Sequence, residues 1–223
     1  MSYKYKRITL LSGHYGSGKT NIAVNMALDL KKQYDKVAVA DLDIVNPYFR
    51  TKDSMEDFKQ NGIRLIVSEY ANSNLDIPAL PDDMYAITDD RQLKTIIDVG
   101  GDDRGALALG RIAPQIIKEN DYDMLMVINR FRPLTPDAES TLEVMREIEL
   151  AGGIKFTGLI NNSNLGAQTE KEDVLSSVKY ANKVSALSGL PVVLTTVEER
   201  LYNILSGEIE NLFALKLQKR PVD

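Results

Sequence analysis

The chain has 223 residues, 43% hydrophobic and 26% charged, the balance of a folded globular protein with a sizeable core. With a formal net charge of −5 and a pI of about 5.1, no basic nucleic-acid patch and no non-specific attraction to anionic lipid are expected. Cysteine is absent, which removes disulfides, thiolate metal sites and iron–sulfur clusters together.

The first seven residues, MSYKYKR, hold no apolar signal-peptide core, and no apolar run approaches the ~20 residues of a transmembrane helix. The expectation is one cytoplasmic domain over residues 1–223. Ile8 to Leu11 reads as a buried strand. It runs into Gly13-His14-Tyr15-Gly16-Ser17-Gly18-Lys19-Thr20, and a helical pattern follows in Ile22, Ala23, Met26, Ala27 and Leu30.

That octapeptide satisfies G-x-x-x-x-G-K-[ST] in the strand-to-helix setting the pattern requires. Glycines permit a tight turn in which successive N–H groups face one anion-sized hollow. The helix N-terminus adds partial positive charge there. Gly13 through Thr20 are therefore candidate nucleotide ligands, with Lys19 reaching the β- and γ-phosphates and the Thr20 hydroxyl holding Mg²⁺.

The second strand, Val37 to Ala40, ends in Asp41-Leu42-Asp43. A third runs from Ile63 to Val67, and a fourth, Thr95 to Ile97, ends in Asp98-Val99-Gly100-Gly101-Asp102. A carboxylate at a strand's carboxyl end can hold Mg²⁺ through water or orient an attacking water. Asp41 and Asp98 are candidate metal ligands, and Asp43 a candidate catalytic residue beside Lys19. Between the third and fourth strands, Glu69 to Gln92 reads as a long loop, either functional or a surface excursion with a short helix.

Further strands are expected at Met124–Ile128, Phe156–Ile160 and Val192–Leu194, with a helix carrying Leu142, Met145 and Ile148 between two of them. About seven near-continuous apolar strands alternating with helices predict a doubly wound, mostly parallel α/β sheet with helices on both faces. Near the end, Leu201, Leu205, Ile209, Leu212 and Phe213 form one helical stripe. Glu208 and Glu210 within it favour a helix docked on the core over a membrane-targeting one.

With these elements in place the sequence resembles the deviant Walker A ATPases of the SIMIBI class, which include MinD, ParA and the nitrogenase iron protein. The resemblance implies an ATP- and Mg²⁺-binding, nucleotide-dependent homodimer that switches a client protein. It makes Asp43 the water-positioning residue of switch I and sets Gly101 against the γ-phosphate. It also places Asn162, in Gly158-Leu159-Ile160-Asn161-Asn162-Ser163, at the adenine. Asn46 to Arg50 would belong to switch I, and Asp102-Asp103-Arg104 would either relay nucleotide state or start a helix.

The sequence departs from that family where relatives carry a second lysine after the first glycine of the loop. Here the position is His14, the only histidine of the chain, which either substitutes conditionally for the cation or simply packs in the loop. The missing cysteines exclude a cluster-bearing iron protein. Asn161-Asn162-Ser163-Asn164 lacks the aspartate that pairs with guanine in N-K-x-D, which favours ATP. The alternative functions are a small-molecule ligase or kinase resembling dethiobiotin or cobyrinate synthetase, and a regulatory nucleotide-binding module without appreciable hydrolysis.

Overall fold

In a computed structural model the structure describes residues 3–42, 52–67, 82–101 and 103–217. Asp43, the Asn46–Arg50 segment, Asp102, and residues 69–81 of the expected loop lie outside the described residues. Among those described, eight strands form one sheet in the order β3-β2-β4-β1-β5-β6-β7-β8. They are β1 (Ile8–Ser12), β2 (Val37–Leu42), β3 (Arg64–Val67), β4 (Lys94–Val99), β5 (Tyr122–Ile128), β6 (Gly158–Asn161), β7 (Val192–Glu198) and β8 (Leu212–Leu215). Every neighbouring pair is parallel.

Parallel strands need crossovers, and helices supply them. They are α1 (Lys19–Lys31), α2 (Lys52–Gln60), α3 (Asp82–Asp89), α4 (Asp103–Glu119), α5 (Ala138–Gly152), α6 (Lys171–Ser188) and α7 (Glu199–Leu205). The period-2 alternation of the strands sorts side chains onto two faces. Ile8, Leu10, Met124, Met126 and Ile128 join α4, α5 and α6 residues such as Leu109, Ile112, Met145 and Val184 in one core. Leu11, Leu125 and Val127 turn the other way onto Ile22, Met26 and Leu30 of α1 and Phe58 of α2. β1 and β2 are buried along their whole length, which explains their unbroken apolar sequence.

One expectation needs correction. The terminal apolar stripe is not one helix. Leu201 and Leu205 of α7 pack with Val174, Val197 and Ile209, but Asn211 adopts a left-handed φ of 55° and Leu212–Leu215 pairs with β7 as an eighth strand. Its far end is fastened to α1, where Asn25 Nδ2 donates to the Lys216 carbonyl at 3.1 Å and the Lys216 amide donates to Asn25 Oδ1 at 2.8 Å. Within the stretch read as a long loop, residues 82–89 form α3, the short helix of one alternative, whose Met84 and Ile87 reach the core. Asp103 opens α4, the helix-start alternative for that segment.

One basic residue of the polar N-terminus is buried. Arg7 is 3% exposed and ion-pairs with Glu119 at the end of α4. It also donates to the carbonyls of Ile87 at 2.7 Å and Leu93 at 3.2 Å. One guanidinium thus ties the end of α4 to the end of α3 and the entry of β4. A buried charge persists when each donor finds an acceptor, as here.

Candidate functional site

β1 is the sheet's topological switch point. From it the chain winds out to β2 and β3, returns at β4, and then crosses to β5 on the other side. In open α/β sheets the crevice outside the carboxyl ends of the strands at such a point is the ligand position. The Gly13–Thr20 loop occupies it.

The loop's shape depends on its glycines at two places. Gly13 has a φ of +145° and Gly18 a φ of +95°, both costly for a side-chain-bearing residue. A β-carbon on Gly13 would collide with the Val127 carbonyl oxygen of β5, and one on Gly18 with Asn162 Nδ2. Gly101 presses on the loop from β4, where a β-carbon would lie 2.8 Å from the Gly13 oxygen and the Tyr15 nitrogen. The structure thus brings Gly13, Gly18, Gly101 and Asn162 into one packed unit.

Gly18 is the N-cap of α1 and offers no side chain, and the first turn of α1 holds no acidic residue. The first four amides of a helix have no intrahelical acceptor. Side chains close two other such ends: Asp137 accepts from the Ser140 amide at 2.9 Å above α5, and Asp173 accepts from the Glu170 amide at 2.9 Å above α6, while α7 likewise has no side-chain cap. The α1 terminus is left open to an anion.

Lys19 is 5% exposed, and its ammonium donates to the Gly13 carbonyl at 2.9 Å and the His14 carbonyl at 3.3 Å. The Thr20 hydroxyl donates to Asp98 Oδ2 at 2.6 Å. Asp98, 1% exposed, stands in register with Asp41 of β2, 4% exposed. Two carboxylates and a hydroxyl beside an uncapped helix end suit Mg²⁺, which takes one or two carboxylates and completes its octahedron with phosphate and water. Among the described residues no group of three or more His, Cys, Asp or Glu could hold a metal by itself.

Buried polar atoms without a hydrogen-bond partner collect here. Ser12 Oγ, His14 Nδ1, Ser17 Oγ and Asn21 Oδ1 lie in the loop and its flanks, and Arg132 Nε lies on the β5–α5 segment packed beside it. Such groups are rare in a native fold and call for a ligand or ordered water. His14 is half-buried and Tyr15 is 62% exposed.

Asn162 is engaged by the loop and by β7. Its amide donates to the Ser17 carbonyl at 2.6 Å while its Oδ1 accepts from the Thr196 hydroxyl at 2.6 Å. It braces the loop from β6 and β7. Sequence reasoning passed over Thr196 and Arg132, because neither has any local signature; only the register of β5, β6 and β7 brings them to the loop. A shallow depression of about 510 Å³ beside Arg146, Leu150 and Lys155 lies where the strands begin, away from this chemistry.

A central strand that feeds a glycine loop into an uncapped helix, with a buried lysine and a Thr–Asp pair beside it, defines a P-loop nucleotide-binding protein. The family model described as CobQ/CobB/MinD/ParA nucleotide binding domain matches residues 8–212, and the chain belongs to that family.

Among solved structures the chain is similar to FtsY from Mycoplasma mycoides, at 21% identity and a TM-score of 0.57, over 88% of this chain and 62% of that one. Cell division protein FtsY from Thermotoga maritima aligns at 17% identity and a TM-score of 0.56, over 89% and 64%. FlhF complexed with GTP and Mg²⁺ aligns at 15% identity and a TM-score of 0.52, over 88% and 67%. At these identities the likeness is one of fold, and the chain spans about three fifths of the length of the first structures it matches. Among curated proteins none matches the sequence.

Proposed function

We propose that residues 1–223 form a single cytoplasmic, Mg²⁺-dependent ATP-binding domain that works as an ATPase switch on a client protein. The observation that carries this reading is the open N-terminus of α1, ringed by unpartnered buried polar atoms and flanked by Lys19 and the Thr20–Asp98 pair. The backbone amides of Gly16 to Thr20 would cradle the β-phosphate. Lys19 would exchange its two carbonyl acceptors for β- and γ-phosphate oxygens, and Thr20, Asp98 and Asp41 would hold the metal directly or through water. Bound Mg²⁺ would neutralise charge on the terminal phosphates.

Adenine is favoured over guanine by the segment after β6. Asn161 is engaged with Ser177 and Ser163, Asn162 with Ser17 and Thr196, and Asn164 with the Asn162 carbonyl and the Gly166 amide. No carboxylate stands in that run to meet a guanine edge. Asp43 is assigned the attacking water, and ordering of both switches around the γ-phosphate would favour a homodimer. The fold neighbour that carries GTP and Mg²⁺ supports a metal–nucleotide ligand but not the choice of base.

Calorimetric titration of the folded protein with Mg–ATP, Mg–GTP and adenosine tests this directly. Tight, Mg²⁺-dependent binding of ATP with weaker GTP and negligible adenosine is expected. No heat from either triphosphate would end the proposal.

A further inference from the structure

Arg132 stands next to the phosphate loop with nothing to do. A β-carbon placed on Gly16 would lie 3.6 Å from both Cζ and Nε of Arg132, so the guanidinium borders the middle of the loop. Its Nε is buried and has no hydrogen-bond partner. Among the described residues the side chain makes no ion pair either, whereas its neighbour Arg130 donates to Ser176.

The position is held firmly. Asn129, fully buried, accepts the Phe131 amide on Oδ1 at 3.0 Å, while its carbonyl accepts the Arg132 amide at 3.2 Å and the Thr135 hydroxyl at 2.8 Å. The Thr135 amide then donates back to the Arg132 carbonyl at 3.1 Å, and Ser163 Oγ accepts the Arg130 amide at 3.1 Å. A turn so cross-linked holds the Arg132 backbone beside the loop. A buried N–H without an acceptor, as at Nε, is unfavourable until an acceptor arrives.

We propose that Arg132 is a phosphate ligand supplied in cis, closing over Gly16 onto the polyphosphate of the bound nucleotide. This inference rests on the loop binding a nucleotide as proposed above. A planar five-donor fork suits two phosphate oxygens at once. The loop has one buried ammonium, that of Lys19, and an imidazole where a second would stand; Arg132 supplies the further positive charge from outside the loop.

The test compares the parent with Arg132→Gln, Arg132→Lys and Arg130→Gln by titration with Mg–ATP and with inorganic tripolyphosphate. Arg132→Gln should weaken both ligands by about ten- to hundredfold. Arg132→Lys should recover part of the loss, and Arg130→Gln should match the parent. The melting temperature of nucleotide-free Arg132→Gln should stay close to the parent's, since the side chain holds no bond in that state. Parent protein that binds Mg–ATP while Arg132→Gln binds both ligands within twofold of it would overturn the inference and leave the nucleotide reading intact. Parent protein that binds neither ligand would remove both. Should the glutamine variant fail to fold, Arg132→Lys decides: a loss of about three- to tenfold is expected from the missing fork, and parity with the parent refutes the role.

Discussion

The joint between the loop and Asn162 can be taken apart by a double-mutant cycle. Asn162→Ala deletes two buried hydrogen bonds, to the Ser17 carbonyl and the Thr196 hydroxyl, each 2.6 Å long. It leaves both partners without their mate, a loss of about 2–4 kcal/mol in all. Gly18→Ala imposes a φ of +95° on a residue with a side chain, about 1–2 kcal/mol. Its new methyl also occupies the place of Asn162 Nδ2 and so breaks the same two bonds, for a total of about 3–6 kcal/mol. In the double variant the methyl meets no amide. The hydrogen-bond loss is then counted once, and the pair should be about 2–4 kcal/mol more stable than the sum of the single effects. Urea unfolding of the nucleotide-free proteins, followed by circular dichroism, measures all four corners. Additivity within about 0.5 kcal/mol would show that Asn162 does not brace the loop.

Three other perturbations have definite outcomes. Arg7→Met strands Glu119 in the interior and should lower stability by about 3–5 kcal/mol in thermal melts, much of it regained in Arg7→Met/Glu119→Leu; a loss under about 1 kcal/mol would mean that the pair is solvated. Thr20→Val removes the hydroxyl at Asp98 and should cut the Mg²⁺ enhancement of triphosphate binding about tenfold or more, with metal-free binding little changed; an unaltered Mg²⁺ titration speaks against Thr20 as a ligand. Burial pushes the Tyr180 phenol up to about 12, against a lowering by its hydrogen bond to Thr141. Below about pH 10 both folded and unfolded chains keep the proton, so stability is level; from there to about pH 12 only the unfolded chain loses it, and stability should fall by about 1.4 kcal/mol per pH unit from this group. Burial raises Tyr3 and Tyr5 as well, so Tyr180→Phe should shallow the alkaline decline in urea midpoints without abolishing it, and an unchanged slope would count against the reading.

What could be read from residues alone was what is encoded locally. Eight consecutive residues carry the loop pattern, and unbroken apolar runs mark the strands that helices cover on both faces. Ile22, Met26 and Leu30 announce the buried side of α1. The misses are all non-local. Leu201, Leu205, Ile209 and Leu212 fit a helical period equally well whether or not the chain turns, and Asn211 as a left-handed pivot is decided by the free edge of β7. Nothing in MSYKYKR marks Arg7 as buried; α3 and α4 deliver the carbonyls and the carboxylate around it. Nothing local shows that the Asn162 amide meets the Ser17 carbonyl. Arg132 has no motif; the parallel pairing of β1 with β5 sets its turn beside Gly16.

The Asn25 clasp on Lys216 gives the sheet's last strand a share in the first helix. Whatever stiffens α1 from its loop end should slow solvent exchange at the amides of Leu212 to Lys216, on the opposite border of the fold from β3. Conversely, prising that border strand away would loosen the helix that carries Lys19, so a partner gripping this edge could hasten the departure of whatever the loop holds without approaching it.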